Sequence, residues 1–200
     1  DGATPLLIAA QEDRPGMVEV LLKEGVDKDK PMGDGTAPLH IAAELGHVEV
    51  VRLLLEKAAE KDATMTDGAS PLFLAAYEGH LEVVRLLIRA KADMDKAAFD
   101  GTTPLHVAAH EEKLEVVNLL LQEKADAEKT TTPLGATPLF LAVQAGHKEV
   151  VALLLQNGVD SDRPLVDGYT PIFVAIRRGD LEIVKLLLHA GADTERILKD

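Results

Sequence analysis

Two histidines, His106 and His110, lie four residues apart in the segment 100–121, which reads DGTTPLHVAAHEEKLEVVNLLL. On one helix this spacing directs two imidazole rings to the same side, as in helical zinc sites, and Glu111 and Glu112 follow directly. A zinc site needs a third protein ligand, and no residue of a suitable type follows at a suitable spacing. The pair is therefore a metal-site hypothesis that the surrounding elements must decide.

The helix that carries these histidines is one copy of a pattern that occurs six times in the chain. Prolines suited to the first position of a helix recur every 33 or 34 residues, at Pro5, Pro38, Pro71, Pro104, Pro138 and Pro171. Each begins a short apolar segment, and a second apolar segment such as LEVVRLLI at 81–88 follows about ten residues later. The sequence predicts six copies of two short helices and a loop, at residues 1–33, 34–66, 67–99, 100–133, 134–166 and 167–199.

Four features recur in the copies and indicate the kind of repeat. They are a TPLH-like tetrapeptide before an Ala pair, a Gly-His turn, an apolar second helix and a Gly-Ala-Asp loop, as at 191–193. In this combination the chain resembles the ankyrin repeat family over essentially all of its 200 residues. The resemblance implies an all-α ankyrin-repeat solenoid of stacked helix-turn-helix layers with projecting β-hairpin-like loops, in a single domain covering 1–200.

The repeat changes the interpretation of the two histidines. Four of the six copies have an apolar residue at the position of His106, namely Leu7, Phe73, Phe140 and Phe173, and only His40 matches it. The position therefore indicates packing, and the resemblance implies that a histidine here supports the adjacent turn. His110 occupies a position that varies among the copies, so we expect it on the surface.

Acidic residues also recur at fixed places and favour framework roles. The pairs Asp27 with Asp29 and Asp93 with Asp95 imitate a D-x-D metal motif, but they lack the glycine and final glutamate of a calcium loop. We expect turn chemistry from them and from the aspartates that open the loops, which are Asp1, Asp34, Asp67, Asp100 and Asp167. No phosphate loop, nucleophile elbow or HExxH motif occurs. The sequence predicts no metal, no cofactor and no catalysis.

The composition limits the partners that the protein can bind. The formal net charge of −13 argues against nucleic acid and against an anionic membrane surface, and it permits a protein partner with a basic segment. No apolar run reaches the roughly 18 residues of a membrane helix, so we expect no membrane insertion. The absence of cysteine fits a reducing compartment, and we expect a soluble intracellular protein, cytoplasmic by default.

The variable positions of the repeat are the candidates for partner binding. The resemblance implies that partners bind a concave side, formed by the loop tips and the exposed face of each first helix. Carried over position by position, that side includes Leu45, Met65, Tyr77, Glu78, Phe99, His110, Glu111, Tyr169, Arg177 and Arg178, with Thr36 and Leu165 among further members. Exposed rings at such positions resemble interface anchors, although the same residues could equally lie back on neighbouring loops.

Two other interpretations of the function stay open beside a protein-binding scaffold. Copy one keeps apolar residues such as Leu7 and Val18 where an end repeat needs a polar face, which favours a structural segment of a longer array or a peripheral subunit of an assembly. Ile176 stands where four other copies have Ala and indicates a C-terminal end, so we expect a monomer or end-to-end stacking with further repeats. The regularity of the copies also permits an engineered binder.

The middle copies depart from the pattern where the backbone needs glycine. In copies one, five and six a glycine follows the second helix, whereas Ala58, Lys91 and Lys124 hold this place in copies two to four. A glycine at the end of a helix normally adopts the left-handed conformation. We expect the three other residues to adopt it too, at a cost of about 1 kcal/mol each.

Overall fold

The computed structural model describes residues 2–195, and within this range the regular secondary structure consists of α-helices, with no β-strand. Each predicted copy contains two of them. They are α1 (Pro5–Gln11), α2 (Pro15–Lys23), α3 (Pro38–Glu44), α4 (Val48–Glu56), α5 (Pro71–Glu78), α6 (Leu81–Arg89), α7 (Pro104–His110), α8 (Leu114–Gln122), α9 (Pro138–Ala145), α10 (Lys148–Gln156), α11 (Pro171–Arg178) and α12 (Leu181–His189). The predicted all-α class is confirmed.

The chain forms two compact units, Asp1–Phe99 and Asp100–Asp200, which contain copies one to three and copies four to six. In the first unit the first helices α1, α3 and α5 pack side by side in chain order, and the second helices α2, α4 and α6 do the same. In the second unit α7, α9 and α11 form one row and α8, α10 and α12 the other. Each unit is thus a stack of helix-turn-helix layers, and the single domain over 1–200 stays a prediction.

The first helix of every copy begins at the predicted proline, because proline has no N–H to lose at the first helical position. In copies one, three and five the hydroxyl of the residue before the proline caps the helix. The hydroxyl of Thr4 accepts a hydrogen bond from the N–H of Leu7 at 3.1 Å, and Ser70 and Thr137 make the same bond in copies three and five. These caps satisfy backbone donors that a short helix would otherwise leave without a partner.

The second helices are buried on more than one side, as their nearly continuous apolar sequence predicts. On α4, Val50, Val51 and Leu54 have no exposed surface, because the neighbouring layers cover them. The cores of both units contain Leu, Val, Ile and Ala almost exclusively, and Phe140 is the one ring among the buried apolar residues of the described chain. Branched side chains of similar size let identical layers pack at a constant spacing.

The loops between copies are closed turns that pair with one another. The N–H of Met32 donates to the carbonyl of Thr36 at 2.9 Å, and Met65 donates to Ala69 in the same way. Successive turns are joined by a single backbone bond, such as the N–H of Phe99 to the carbonyl of Asp67 at 3.0 Å. The loops are therefore hairpin-like, but these isolated bonds form no strand within the described range.

The loop-opening aspartates organise the turns, as the sequence predicts. The Asp34 carboxylate accepts the N–H of Thr36 at 2.9 Å, and Asp67, Asp100 and Asp167 make the same bond two residues along. Asp1 lies outside the described residues. Copy five has Leu134 instead of aspartate, and the hydroxyl of Thr131 takes over by accepting the N–H of Ala136 at 3.2 Å.

The backbone after the second helices has one conformation in all copies. Ala58, Lys91 and Lys124 have φ values of 57°, 65° and 73°, close to the 78° of Gly158 at the same place. The left-handed conformation predicted for the middle copies is thus confirmed. A side chain at such a φ crowds the following carbonyl, which strains the backbone.

Candidate protein-binding face

The two buried histidines support the turns between copies. His106 is fully buried; its Nδ1 accepts the N–H of Thr103 at 3.2 Å, and its Nε2 lies 3.0 Å from the carbonyl of Ala136, to which it donates. In copy two, Nδ1 of His40 accepts the N–H of Ala37 at 3.2 Å in the same way, while its Nε2 donates to a different turn carbonyl, that of Ala63, at 3.0 Å. Burial lowers the pKa of both imidazoles, since the charged form would lose its hydration. Both nitrogens of His106 are engaged, so neither offers a lone pair to zinc.

The histidine of the Gly-His turn connects copies two, three and five to the copy before each of them. The Nε2 atoms of His47, His80 and His147 lie 2.8–3.1 Å from a carbonyl oxygen at the end of the preceding first helix. Copy six has Asp180 at this position, and a carboxylate cannot donate to a carbonyl. Arg178 donates instead, from Nη1 to the carbonyl of Gln144 at 2.7 Å and from Nη2 to that of Ala145 at 3.2 Å.

The acid pairs are occupied by turn chemistry. The N–H of Asp29 donates to Asp27 Oδ1 at 3.1 Å, and Asp29 Oδ1 accepts the N–H of Glu60 in the next copy at 2.8 Å. Asp93 accepts the N–H of Asp95 at 3.0 Å. In residues 2–195 no group of three or more His, Asp or Glu side chains is arranged to hold a metal ion.

We call the exposed side of the first helices, together with the loop tips, the first-helix face. In the first unit it carries three large apolar side chains: Leu45, Tyr77 and Phe99 are 43%, 44% and 77% exposed. Glu78 is also exposed, and Met65 is half-buried at a loop tip. Thr36, which the sequence places on this surface, is buried with 7% of its surface exposed, so that expectation is wrong.

In the second unit the predicted residues of this face are partly engaged with one another. His110 is exposed and its Nδ1 lies 2.7 Å from Glu111 Oε1, so these two form a local pair. Tyr169 is half-buried, with its ring edge-to-face against Phe173 at 6.1 Å between centroids. The guanidinium of Arg177 lies over the Tyr169 ring, with Cζ 5.7 Å from the centroid of that ring.

Sequence reasoning missed two features of the second unit. The repeat pattern assigns Phe140 to packing, yet it also lines a surface groove beside Tyr169 and Arg177. The framework role of Arg178 was missed as well, because its position varies among the copies. The signal for it was Asp180, which stands in copy six where other copies have the histidine of the Gly-His turn. An arginine, Arg178, lies two residues before it and could supply the missing donor.

Comparison with known proteins agrees with this geometry. The Ank_2 family, described as ankyrin repeats in three copies, matches residues 1–67, 59–132 and 124–197, which together cover nearly the whole chain. The chain belongs to the ankyrin repeat family. Among solved structures, the crystal structure of the human ASB11 ankyrin repeat domain superposes with a TM-score of 0.87 at 28% sequence identity, covering 98% of this chain and 87% of that one. A comparison with curated protein sequences gives no match.

Membership of this family sets the general role of the chain. Ankyrin repeats are protein–protein interaction modules, and their fold is typical of non-enzymatic scaffolds. In the described part of the chain, no helix has the length and apolar character needed to cross a membrane. The family alone names neither the partner nor the residues that bind it.

Proposed function

We propose that this ankyrin chain is a non-catalytic scaffold that binds a protein partner through its first-helix face. The observation that carries the proposal is the exposure of Tyr77 and Phe99, two rings at positions that the repeat framework does not require. A ring left in water costs hydration free energy that a partner can recover by covering it. Tyrosine and other aromatic residues are also the side chains most enriched among interface anchors.

Phe99 supports the proposal in a second way. Its N–H is fixed by the carbonyl of Asp67 at 3.0 Å, whereas its side chain is 77% exposed. A Cβ added to Gly68 would lie 2.8 Å from the Phe99 nitrogen, so the two turns are in close contact. The ring is therefore presented on a constrained backbone, and binding it orders little additional chain.

The test is capture of a native partner with a double variant, Tyr77→Ala with Phe99→Ser. Central aromatic anchors contribute about 2 kcal/mol or more each, so we expect capture by crosslinking in native lysate to be abolished. The melting temperature should change little, because neither ring packs in the core. Arg85→Glu on α6 is the control: it reverses a charge on a second helix and should leave capture intact. Loss of the partner in the control alone would assign binding to the opposite side.

A structural role in a longer array is the second candidate, and one observation favours it. Met17 is 61% exposed, whereas Val50 and Val83 at the same position in copies two and three are fully buried by the preceding layer. A further ankyrin layer, or a subunit of an assembly, would cover Met17 in the same manner. Under this candidate the crosslinks come from copy one, and Tyr77→Ala with Phe99→Ser captures the partner as well as the wild type.

A further inference from the structure

A groove of about 430 Å³ lies on the first-helix face of the second unit, between copies five and six. We call it the five–six groove. Its walls come from α9, from α11 and from the turn that leads into copy six, and they are formed by Phe140, Gln144, Leu165, Asp167, Tyr169, Val174, Arg177 and Arg178. This volume is within the range of ligand and peptide side-chain pockets, roughly 300–1,000 Å³.

Arg177 is oriented in this groove before any partner arrives. Its guanidinium lies over the Tyr169 ring at 5.7 Å, and that ring is held edge-to-face by Phe173. A cation–π contact of this kind attracts the charge of the guanidinium and uses none of its N–H groups as ordinary hydrogen-bond donors. A guanidinium binds a carboxylate through two parallel hydrogen bonds from its N–H groups, so the contact with Tyr169 positions Arg177 and leaves it able to bind such a ligand.

Neither arginine of the groove is neutralised from within the protein. Among residues 2–195, the ion pairs involve neither Arg177 nor Arg178, whereas Arg52, Arg85 and Lys185 each pair with a glutamate of their own helix. Arg178 donates to two carbonyl groups and keeps its charge. The one acid in the lining, Asp167, accepts the N–H of Tyr169 at 3.2 Å.

The remaining wall of the groove is apolar. Phe140 is almost fully buried beneath it, and Leu165 and Val174 are half-buried at its sides. A positive charge beside an apolar pocket is complementary to a carboxylate side chain with an aliphatic neighbour. This local character is opposite to that of the whole chain, which has 34 acidic and 21 Lys or Arg residues.

We propose that the five–six groove binds an acidic peptide segment of the protein partner. A Glu or Asp side chain of that segment forms a two-bond ion pair with Arg177, and an adjacent aliphatic side chain packs on Phe140, Leu165 and Val174. This assignment rests on the proposed function and deepens it, because it states the chemistry that the second unit selects. The net charge of −13 repels acidic peptides in general, so binding depends on this local site.

The test uses short fluorescein-labelled peptides made of Glu-Leu pairs with Gly-Ser spacers and a blocked C-terminus. Matched peptides replace Glu by Gln or by Lys, and a further Gln-Leu peptide ends in a free carboxylate. Fluorescence anisotropy measures the dissociation constants on the full chain, and methyl chemical shifts of Leu165 and Val174 locate the peptide. The variants are Arg177→Gln and, as a control, Arg163→Gln, which changes an exposed arginine outside the groove.

We expect only the Glu-Leu peptide to bind, with shifts at both methyl groups and an affinity that falls as salt is raised. Arg177→Gln should weaken it about tenfold to a hundredfold, the range for a hydrogen-bonded charge, while Arg163→Gln leaves it unchanged. Equal binding of the Gln-Leu peptide, an unaltered affinity in Arg177→Gln, or no binding at millimolar protein overturns the proposal. Preference for the free carboxylate peptide overturns the assignment of an internal acid.

The outcome is separable from that of the proposed function. Tyr77→Ala with Phe99→Ser could abolish native capture while acidic peptides do not bind the groove. In that case binding through the first-helix face is supported, and only the proposed acidic segment is refuted. If the peptide binds the groove but those substitutions leave capture intact, the acidic site stands without the anchors of the first unit.

Discussion

Replacing Lys91 by glycine should stabilise the protein, since Lys91 holds a left-handed backbone with φ of 65°. The residue is exposed, forms no ion pair in the described part of the chain and follows helix α6. Its N–H donates to the carbonyl of Ile88 at 2.9 Å, a bond that glycine retains. The substitution therefore changes the cost of the conformation and little else.

The magnitude follows from two opposing effects. A non-glycine residue pays about 1–2 kcal/mol for the left-handed conformation. Glycine loses more conformational freedom on folding, which offsets about 0.4–1 kcal/mol of that gain. We expect a net increase of about 1 kcal/mol in the free energy of unfolding, or a melting temperature about 2–4 °C higher for a chain of this size. The triple variant with Ala58→Gly and Lys124→Gly should add these gains, because the sites lie in different copies.

Thermal and urea unfolding followed by circular dichroism measures the effect, and two variants control it. Lys91→Ala removes the charge and the long side chain but keeps the strained φ, so its melting temperature should equal that of the wild type. Gly158→Ala introduces the strain at the equivalent site of copy five, where a Cβ would have open space, and should lower the melting temperature by a similar amount. A lower melting temperature for Lys91→Gly would refute the strain at this position.

Three further predictions concern the framework. Arg178→Ala should lower the free energy of unfolding by about 1–2 kcal/mol in urea titrations, because the carbonyl groups of Gln144 and Ala145 lose a charged donor. Burial holds the pKa of His40 and His106 below the unfolded value of about 6.5, so the unfolded chain binds more protons and stability should fall as the pH decreases below 6.5. In His40→Phe with His106→Phe, the slope between pH 7 and about pH 5 should flatten, whereas an unchanged slope would exclude the two imidazoles as its cause. Calorimetry should detect no stoichiometric zinc; tight binding that His106→Ala removes would contradict the assigned hydrogen bonds.

The fold was predictable because the same types of residue occupy the same positions in every layer and pack in the same way. Proline suits only the first turn of a helix, so six prolines at a regular interval define where six helices begin. The strained positions were predictable for the same reason, since Ala58, Lys91 and Lys124 must follow the backbone path that glycine takes in the other copies. In a repeat protein, the backbone conformation at one position of a copy predicts the conformation at the equivalent position of the other copies.

The roles of the surface residues were less predictable. Long side chains contact residues of other copies, and the repeat period does not specify these contacts. Arg178 was assigned to partner binding from its position, yet it replaces the missing turn histidine of copy six. Thr36 was assigned to the surface, yet it is buried. The contact of Arg177 with Tyr169 spans eight residues of sequence and depends on side-chain rotamers, about which the period contains no information.

Variation among copies therefore cannot by itself separate recognition residues from framework residues. Where the Gly-His turn loses its glycine, Asp13 and Glu112 adopt the left-handed backbone with φ of 49° and 56°, so they substitute for a framework residue. Arg178 substitutes for the turn histidine in the same sense, since the arginine and the histidines each donate to a backbone carbonyl of the preceding copy. Tyr77 and Arg177 differ: within the described residues no hydrogen bond joins either side chain to a neighbouring copy, and both are exposed. A variable residue without such a hydrogen bond is therefore the better candidate for the proposed binding, which the substitutions at Tyr77 and Arg177 test.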